Sequence, residues 1–223
     1  MILSFEEVIS EEEHRALLGK IAQATFVDGR ETAGGRLSGH KRNEQIARQA
    51  PEMAEVTQLV LAALKRHEAF RNATYPQQLH SVLVSRYRPG MEYGWHVDEA
   101  VMGDAVPWRS DLSLTLFLNA PTDYDGGELA LESGSGQTTV KLPARAMVCY
   151  PTGQLHCVLP VTRGERLAVI GWIQSLVRDG GAREALWDLA QAREQVYARE
   201  GKSRTFDLIN KTHANLLRRW AQA

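Results

Sequence analysis

LHSVLVSRYRPGMEYGWHVDE, residues 79–99, marks the point where the texture of the chain changes and its fold is decided. Beyond it come SDLSLTLFLN (110–119), GELALES (127–133), TTVKLP (138–143), AMVCYPT (146–152) and RLAVIGWIQSL (166–176). These segments are short and rich in β-branched or aromatic residues, and several alternate apolar with polar. Pro, Gly, Asn and Asp punctuate them. Closely spaced strands with no helix between them predict an antiparallel sandwich, jelly roll or small barrel.

Helical patterns flank this region. Ile2–Ile9 predicts a short strand, and Ser10 with Glu13 has the Ser-x-x-Glu form of a capping box, followed by Leu17, Leu18 and Ile21 at helical spacing. Residues 28–43, DGRETAGGRLSGHKRN, predict a long glycine-rich loop of the kind that serves as a lid or binding loop. Met53, Val56, Leu59, Val60, Ala63 and Leu64 predict one amphipathic helix from Pro51 to Phe70. From Gly181 onward the pattern is helical again, through Leu186, Leu189 and Ala190 and then Phe206, Ile209, Leu216 and Leu217. The expected organisation is α+β. Residues 1–78 form a strand/helix segment integrated with the core, 79–177 the β core, and 178–223 a C-terminal helical subdomain. No internal repeat interrupts it.

With 223 residues, 43% hydrophobic and 24% charged, the chain has the make-up of an ordinary globular protein with one substantial core. A net charge of −1 argues against a general affinity for nucleic acid or an anionic membrane. The acidic N-terminal MILSFEEVISEEEH lacks a signal-peptide pattern, and no run approaches the roughly 20 apolar residues of a membrane helix. A cytoplasmic protein is expected. Cys149 and Cys157, beside Val148 and Val158, read as buried free thiols.

The chemistry-bearing residues begin with His96 and Asp98. On a strand, residues i and i+2 share a face, so an imidazole and a carboxylate can meet one metal from one side. His156, in the strand-like PTGQLHCVLP (151–160), offers a third ligand. Two His and one carboxylate form the facial triad of Fe(II) oxygenases, which leaves coordination positions open. A bare His-x-Asp is weak, since most such pairs are structural. Arg166, on the next strand-like segment, adds weight. Its alternative is an ion pair with Glu165, but alternation puts Arg166, Ala168 and Ile170 on one face, lining an interior where a guanidinium requires an anion. The distal carboxylate of 2-oxoglutarate would supply it. Asn43 faces substrate or caps a loop. Trp95 and Trp172 read as packing residues, and Thr115 and Asn119 are within reach of a cavity. His14, His40, His67, His80 and His213 read as non-ligands.

Taken together, Tyr87-x-x-Gly90, Tyr93, His96-x-Asp98, His156 and Arg166 resemble the prolyl/lysyl hydroxylase branch of the 2-oxoglutarate oxygenases, and most closely the bacterial PKHD-type hydroxylases. SLTLFLN, the GGEL turn at Gly126–Leu129 and YPTGQLHCVLPVTRGER (150–166) agree with it, and so do the DGRETAG loop and the helical tail. The resemblance implies a double-stranded β-helix, a jelly-roll variant, with N-terminal helices packed on it and a C-terminal helical tail. It implies a hydroxylase requiring Fe(II), 2-oxoglutarate, O2 and ascorbate. Iron would be held by His96, Asp98 and His156, the C5 carboxylate of 2-oxoglutarate by Arg166, and Tyr87 would assist co-substrate binding. The substrate would be a protein side chain or a small molecule, with a link to iron homeostasis.

Three other readings compete. A nucleic-acid demethylase of the same superfamily would want a basic groove, which the near-neutral charge does not offer. A zinc hydrolase gives Arg166 no role. A non-catalytic, cupin-like module for binding or sensing a metal or small ligand is the runner-up. The amphipathic C-terminal helices suggest a homodimer.

Overall fold

The structure is a computed structural model that describes residues 1–32, 38–79, 82–103, 106–134 and 136–222. His80 and the centre of the glycine-rich loop lie outside the described residues.

In chain order the strands are β1 (Leu3–Phe5), β2 (Phe26–Asp28), β3 (Lys41–Arg42), β4 (Glu44–Ile46), β5 (Pro76–Leu79), β6 (Leu83–Tyr87), β7 (Glu92–His96), β8 (Val101–Met102) and β9 (Trp108–Arg109). They continue with β10 (Leu112–Phe117), β11 (Tyr124–Gly126), β12 (Leu129–Ser133), β13 (Gly136–Val140), β14 (Met147–Pro151), β15 (His156–Val158), β16 (Val161–Gly164) and β17 (Arg166–Ser175). The helices are α1 (Glu11–Gln23), α2 (Pro51–Arg66), α3 (Glu68–Thr74), α4 (Gly180–Glu200) and α5 (Arg204–Trp220).

Two antiparallel sheets make the core. The larger has the order β1-β14-β10-β17-β6-β4-β2, with β5 also paired to β17, and the smaller has the order β13-β12-β15-β7-β3. The alternation along β10 shows why they stack. Leu112, Leu114 and Leu116 join the cluster that holds Leu17, Val56, Leu64 and Phe70 from the N-terminal helices. Ser113, Thr115 and Phe117 face the other way, and Phe117 packs with Leu129 and Leu131 of β12. All six residues of β10 are buried, because helices cover one face of the large sheet and the small sheet covers the other. The interior between the sheets is therefore lined from β10 by a serine and a threonine as well as apolar groups, and it is there that chemistry can be housed.

The capping box forms as predicted: Ser10 Oγ accepts from the Glu13 N–H at 3.1 Å, and the Glu13 carboxylate accepts from the Ser10 N–H at 2.8 Å. Two expectations are corrected. The first strand ends at Phe5, because Glu7 takes a left-handed conformation (φ 50) and Val8 N–H turns to the Arg145 carbonyl. The helix expected from Pro51 to Phe70 is two helices, because His67 adopts extended backbone and its Nδ1 accepts from the Phe70 N–H, capping α3. Apolar periodicity runs straight through that cap and cannot reveal it. Cys149 and Cys157 are both buried free thiols. At the C-terminal end, Val177, Ala182 and Leu186 gather Leu216, Leu217 and Trp220 into a small separate cluster. Among the described residues no helix is long and apolar enough to cross a membrane.

Candidate metal centre

His96 ends β7 and His156 begins β15, and the two are direct partners in the antiparallel register. Strand pairing alone thus brings residues 60 positions apart face to face, with ring centroids 4.2 Å apart. Asp98 follows two residues after His96. Its carboxylate lies 3.8 Å from the Nε2 of each histidine. One ligand atom from each of the three lies within 4.8 Å of the others, and among the described residues this is the group that could hold a metal ion.

The imidazoles are aimed the same way by the same device. His96 Nδ1 lies 2.8 Å from the Gly94 carbonyl and His156 Nδ1 2.9 Å from the Gln154 carbonyl, each two residues upstream. A carbonyl only accepts, so each ring carries its proton on Nδ1 and presents the lone pair of Nε2 to the shared centre. Burial and the neighbouring His156 push the His96 pKa down, favouring the neutral form a metal needs. The Tyr93 ring stacks on His96 at 3.6 Å, and Tyr150 meets His156 edge-on at 5.2 Å. Asp98 is held by two donors on one oxygen: Oδ2 accepts from Ser113 Oγ–H at 2.8 Å and from Trp172 Nε1–H at 3.0 Å. Oδ1 is left without a hydrogen-bond donor among the described residues.

Arg166 presents the opposite situation. It begins β17, pairs with Tyr87 of β6, and is 1% exposed. Among the described residues, its Nε, Nη1 and Nη2 are all buried without a hydrogen bond of normal geometry. Glu165, the alternative partner considered from the sequence, is engaged by Arg88 at 3.2 Å and faces Arg86 at 3.9 Å. The Arg166 guanidinium carbon lies 5.3 Å from the Tyr87 ring centroid and 5.4 Å from that of Phe117. Burial lifts the Tyr87 phenol above its ordinary range and so keeps it a proton donor. The buried Tyr124 hydroxyl also lacks a hydrogen bond of normal geometry among the described residues, and it stands beside the Arg166 guanidinium, which opposes the upward push of burial on its pKa. A desolvated cation with every donor unmet is destabilising by several kcal/mol in order of magnitude. A planar, doubly accepting anion fits that gap, and the distal carboxylate of 2-oxoglutarate is such a group. Gly127 keeps the place open: its φ is +67°, and a Cβ there would come 2.8 Å from Val161 Cγ2 and 3.1 Å from Arg166 Cδ.

One cavity joins these parts, with Tyr87, His96, Asp98, His156, Arg166 and Ile170 among its lining. The structure thus brings His96, Asp98, His156, Arg166 and Tyr87 to one cavity. Thr115 also reaches the cavity. Trp172, expected to be packing, lines it and orients Asp98. Trp95, also expected to pack, is 43% exposed on the outer face of its strand. Asn119 accepts from the Leu167 N–H at 2.6 Å, a structural bond, and Asn43 packs against Gly29 outside the cavity lining. His14 and His213 bond to the Leu118 carbonyl and the Tyr75 hydroxyl, away from the triad. Sequence reasoning missed Ser113, Tyr150 and Lys41. For Ser113 a signal existed, since it falls on the polar face of an alternating strand.

The model of the 2OG-Fe(II) oxygenase superfamily matches residues 82–174. A PKHD-type hydroxylase of Synechococcus sp. (strain JA-2-3B'a(2-13)) is 48% identical over 223 residues, all of both chains. The viral collagen prolyl hydroxylase of Paramecium Bursaria Chlorella virus-1, in its 2-oxoglutarate complex, superposes with a TM-score of 0.55 at 21% identity, covering 78% of this chain and 96% of that one. HygX from Streptomyces hygroscopicus, with nickel and 2-oxoglutarate bound, gives 0.53 at 13% identity, covering 78% and 82%. These likenesses bear out the jelly-roll fold expected from the resemblance. Fold, site and full-length relatives agree: the chain belongs to the PKHD-type hydroxylases and is an Fe(II)- and 2-oxoglutarate-dependent hydroxylase.

Proposed function

We propose that His96, Asp98 and His156 are the protein ligands of the iron and that Arg166, assisted by Tyr87, binds the distal carboxylate of 2-oxoglutarate. The observation that carries this is the buried guanidinium with no partner, in the same cavity as two histidines and an aspartate whose free atoms converge. When bound, the metal supplies O2 activation, coupled to oxidative decarboxylation of 2-oxoglutarate to succinate and CO2 and delivery of one oxygen atom into a substrate C–H bond.

The chain's own part is placement. The Gly94 and Gln154 carbonyls fix both imidazoles. Ser113 and Trp172 hold Asp98 by Oδ2, so that Oδ1 is the oxygen offered to the metal. Arg166 sets the depth and direction of the co-substrate. Leu129, Val158 and Ile170 wall the cavity with apolar groups that limit water. The substrate is a protein side chain or a small molecule, with a role in iron homeostasis. Ascorbate maintains the ferrous state, and the enzyme works in the cytoplasm. A homodimer through the C-terminal helices completes this reading, with Tyr197 and Leu208 left exposed on them. Light scattering that returns a monomer at micromolar concentration would remove the dimer.

Calorimetric titration of 2-oxoglutarate into anaerobic Fe(II)-loaded protein tests the role of Arg166. Wild type binds, and Arg166→Met loses most of that affinity while still binding metal. Equal affinity in the two proteins would refute the assignment.

A further inference from the structure

Among the described residues, six buried side-chain nitrogen and oxygen atoms have no hydrogen bond of normal geometry: Nε, Nη1 and Nη2 of Arg166, the Tyr124 hydroxyl, and Nδ2 and Oδ1 of Asn43. Buried polar atoms are nearly always bonded, so such exceptions need an explanation. These six are not scattered. Arg166 pairs with Tyr87 across β17 and β6, and a Cβ on Gly127 would meet both the Arg166 side chain and the Tyr124 ring. The co-substrate accounts for Arg166, and Tyr124 stands beside it. The Asn43 amide belongs to no part of the site described so far.

The strand register places Asn43. β4 and β6 run antiparallel with Glu44 opposite Arg86 and Gln45 opposite Ser85, so one step further puts Asn43 opposite Tyr87. Continuing the alternation gives Asn43 the same side as Gln45, whose Nε2 reaches Ser85 Oγ at 3.4 Å. Gln45, Ser85 and Tyr87 all line the metal cavity. Asn43 is also the link between the two sheets, because β3 pairs with β7 of the small one and β4 with β6 of the large one. Its backbone is held there, since its carbonyl accepts from the Gly29 N–H at 2.9 Å. A Cβ on Gly29 would collide with Asn43 Oδ1, so the amide has its seat only because residue 29 is glycine. Asn43 is 4% exposed and Tyr87 3%. Burial pushes the Tyr87 phenol up, while the Arg166 charge and the approach of the Asn43 amide act the other way. The amide is therefore near enough to reach the phenol oxygen.

On the functional reading above, on which this inference rests, the Tyr87 hydroxyl donates a hydrogen bond to the distal carboxylate of 2-oxoglutarate. We propose that Asn43 is a positioning residue of the co-substrate site: its Nδ2–H donates to the Tyr87 oxygen, so that the Tyr87 O–H turns to the carboxylate held by Arg166. A phenol oxygen both donates and accepts, and its proton can rotate about the C–O bond. A donor placed on that oxygen removes the orientations that point away from the carboxylate. A hydrogen bond received by the phenol also strengthens the one it gives. The amide left unmet in the absence of co-substrate is then engaged in its presence, as is the guanidinium of Arg166.

The test titrates 2-oxoglutarate calorimetrically into anaerobic Fe(II) protein, in the wild-type and Tyr87→Phe backgrounds. Asn43→Leu removes the amide at nearly constant volume, and Asn43→Ala makes the same cut with less bulk. Each should weaken binding about tenfold in wild type, and by less than about twofold in Tyr87→Phe, because the effect passes through the phenol oxygen. Circular dichroism confirms that each variant is folded. Undiminished affinity on removing the amide, or a loss of the same size in both backgrounds, would overturn the inference while Tyr87→Phe itself still weakens binding. Asn43→Asp, which offers acceptors in place of the donor, would likewise overturn it by binding as tightly as wild type. Tyr87→Phe with wild-type affinity would instead remove the role of Tyr87 on which the inference rests.

Discussion

The two ends of the metal cavity are built on opposite principles. At the triad the orienting contacts are made within the chain: two backbone carbonyls hold the imidazoles, and a serine and a tryptophan hold the aspartate. At Arg166 a full charge is buried with no hydrogen bond of normal geometry to any nitrogen of its guanidinium among the described residues. On the assignments proposed above, the difference follows from which component supplies its own order. A metal brings little shape, so the protein must fix its ligands beforehand. The co-substrate brings a rigid carboxylate, so the protein need only keep a complementary cation dry and in place.

The largest expected effect breaks the ordered end outright. His96→Ala or Asp98→Ala leaves two ligands for a site that needs three, and elemental analysis should show Fe(II) falling from about one per chain to background, with turnover lost. Metal retained at wild-type stoichiometry would mean that the triad is not the site.

Next comes the unsatisfied end. Arg166→Met should weaken 2-oxoglutarate binding by roughly two to three orders of magnitude, as expected when one partner of a buried charged pair is truncated. The same substitution should stabilise the protein without co-substrate by about 1–3 kcal/mol, because it removes a desolvated and unpaired charge, and the melting temperature should rise by roughly 2–4 °C for each kcal/mol. A variant less stable than wild type would show that Arg166 is paired after all. In wild type, 2-oxoglutarate at a hundred times its Kd should add about 2.7 kcal/mol.

A smaller loss is expected from the supports. Ser113→Ala and Trp172→Phe each remove one donor to Asp98 Oδ2, and metal affinity measured by competition with a chelator should fall roughly 10- to 100-fold. No change would make those bonds incidental.

The contrast between the two ends also explains what could be read from the sequence. His96 and Asp98 stood out because i and i+2 share a face on extended backbone, although β7 ends at His96 and Asp98 lies just beyond it; Arg166 stood out because a charge on an interior strand face demands an explanation. Tyr87 became a candidate only through family resemblance. The supports were obscure because they are tertiary: Trp172 reaches Asp98 from 74 positions away and Ser113 from 15. Lys41 falls in a glycine-rich stretch that reads as loop, yet it forms a two-residue strand beside Tyr93. The break at His67 depends on a side-chain cap that hydrophobic periodicity does not record.

The most direct test of the account adds Fe(II) and 2-oxoglutarate to anaerobic protein, records the visible charge-transfer band, and then admits oxygen and measures succinate. The account predicts a band and slow, substrate-independent succinate formation in wild type. It predicts no band in His96→Ala, and a band in Arg166→Met only at much higher 2-oxoglutarate. A protein that binds the metal yet gives neither band nor succinate would contradict it.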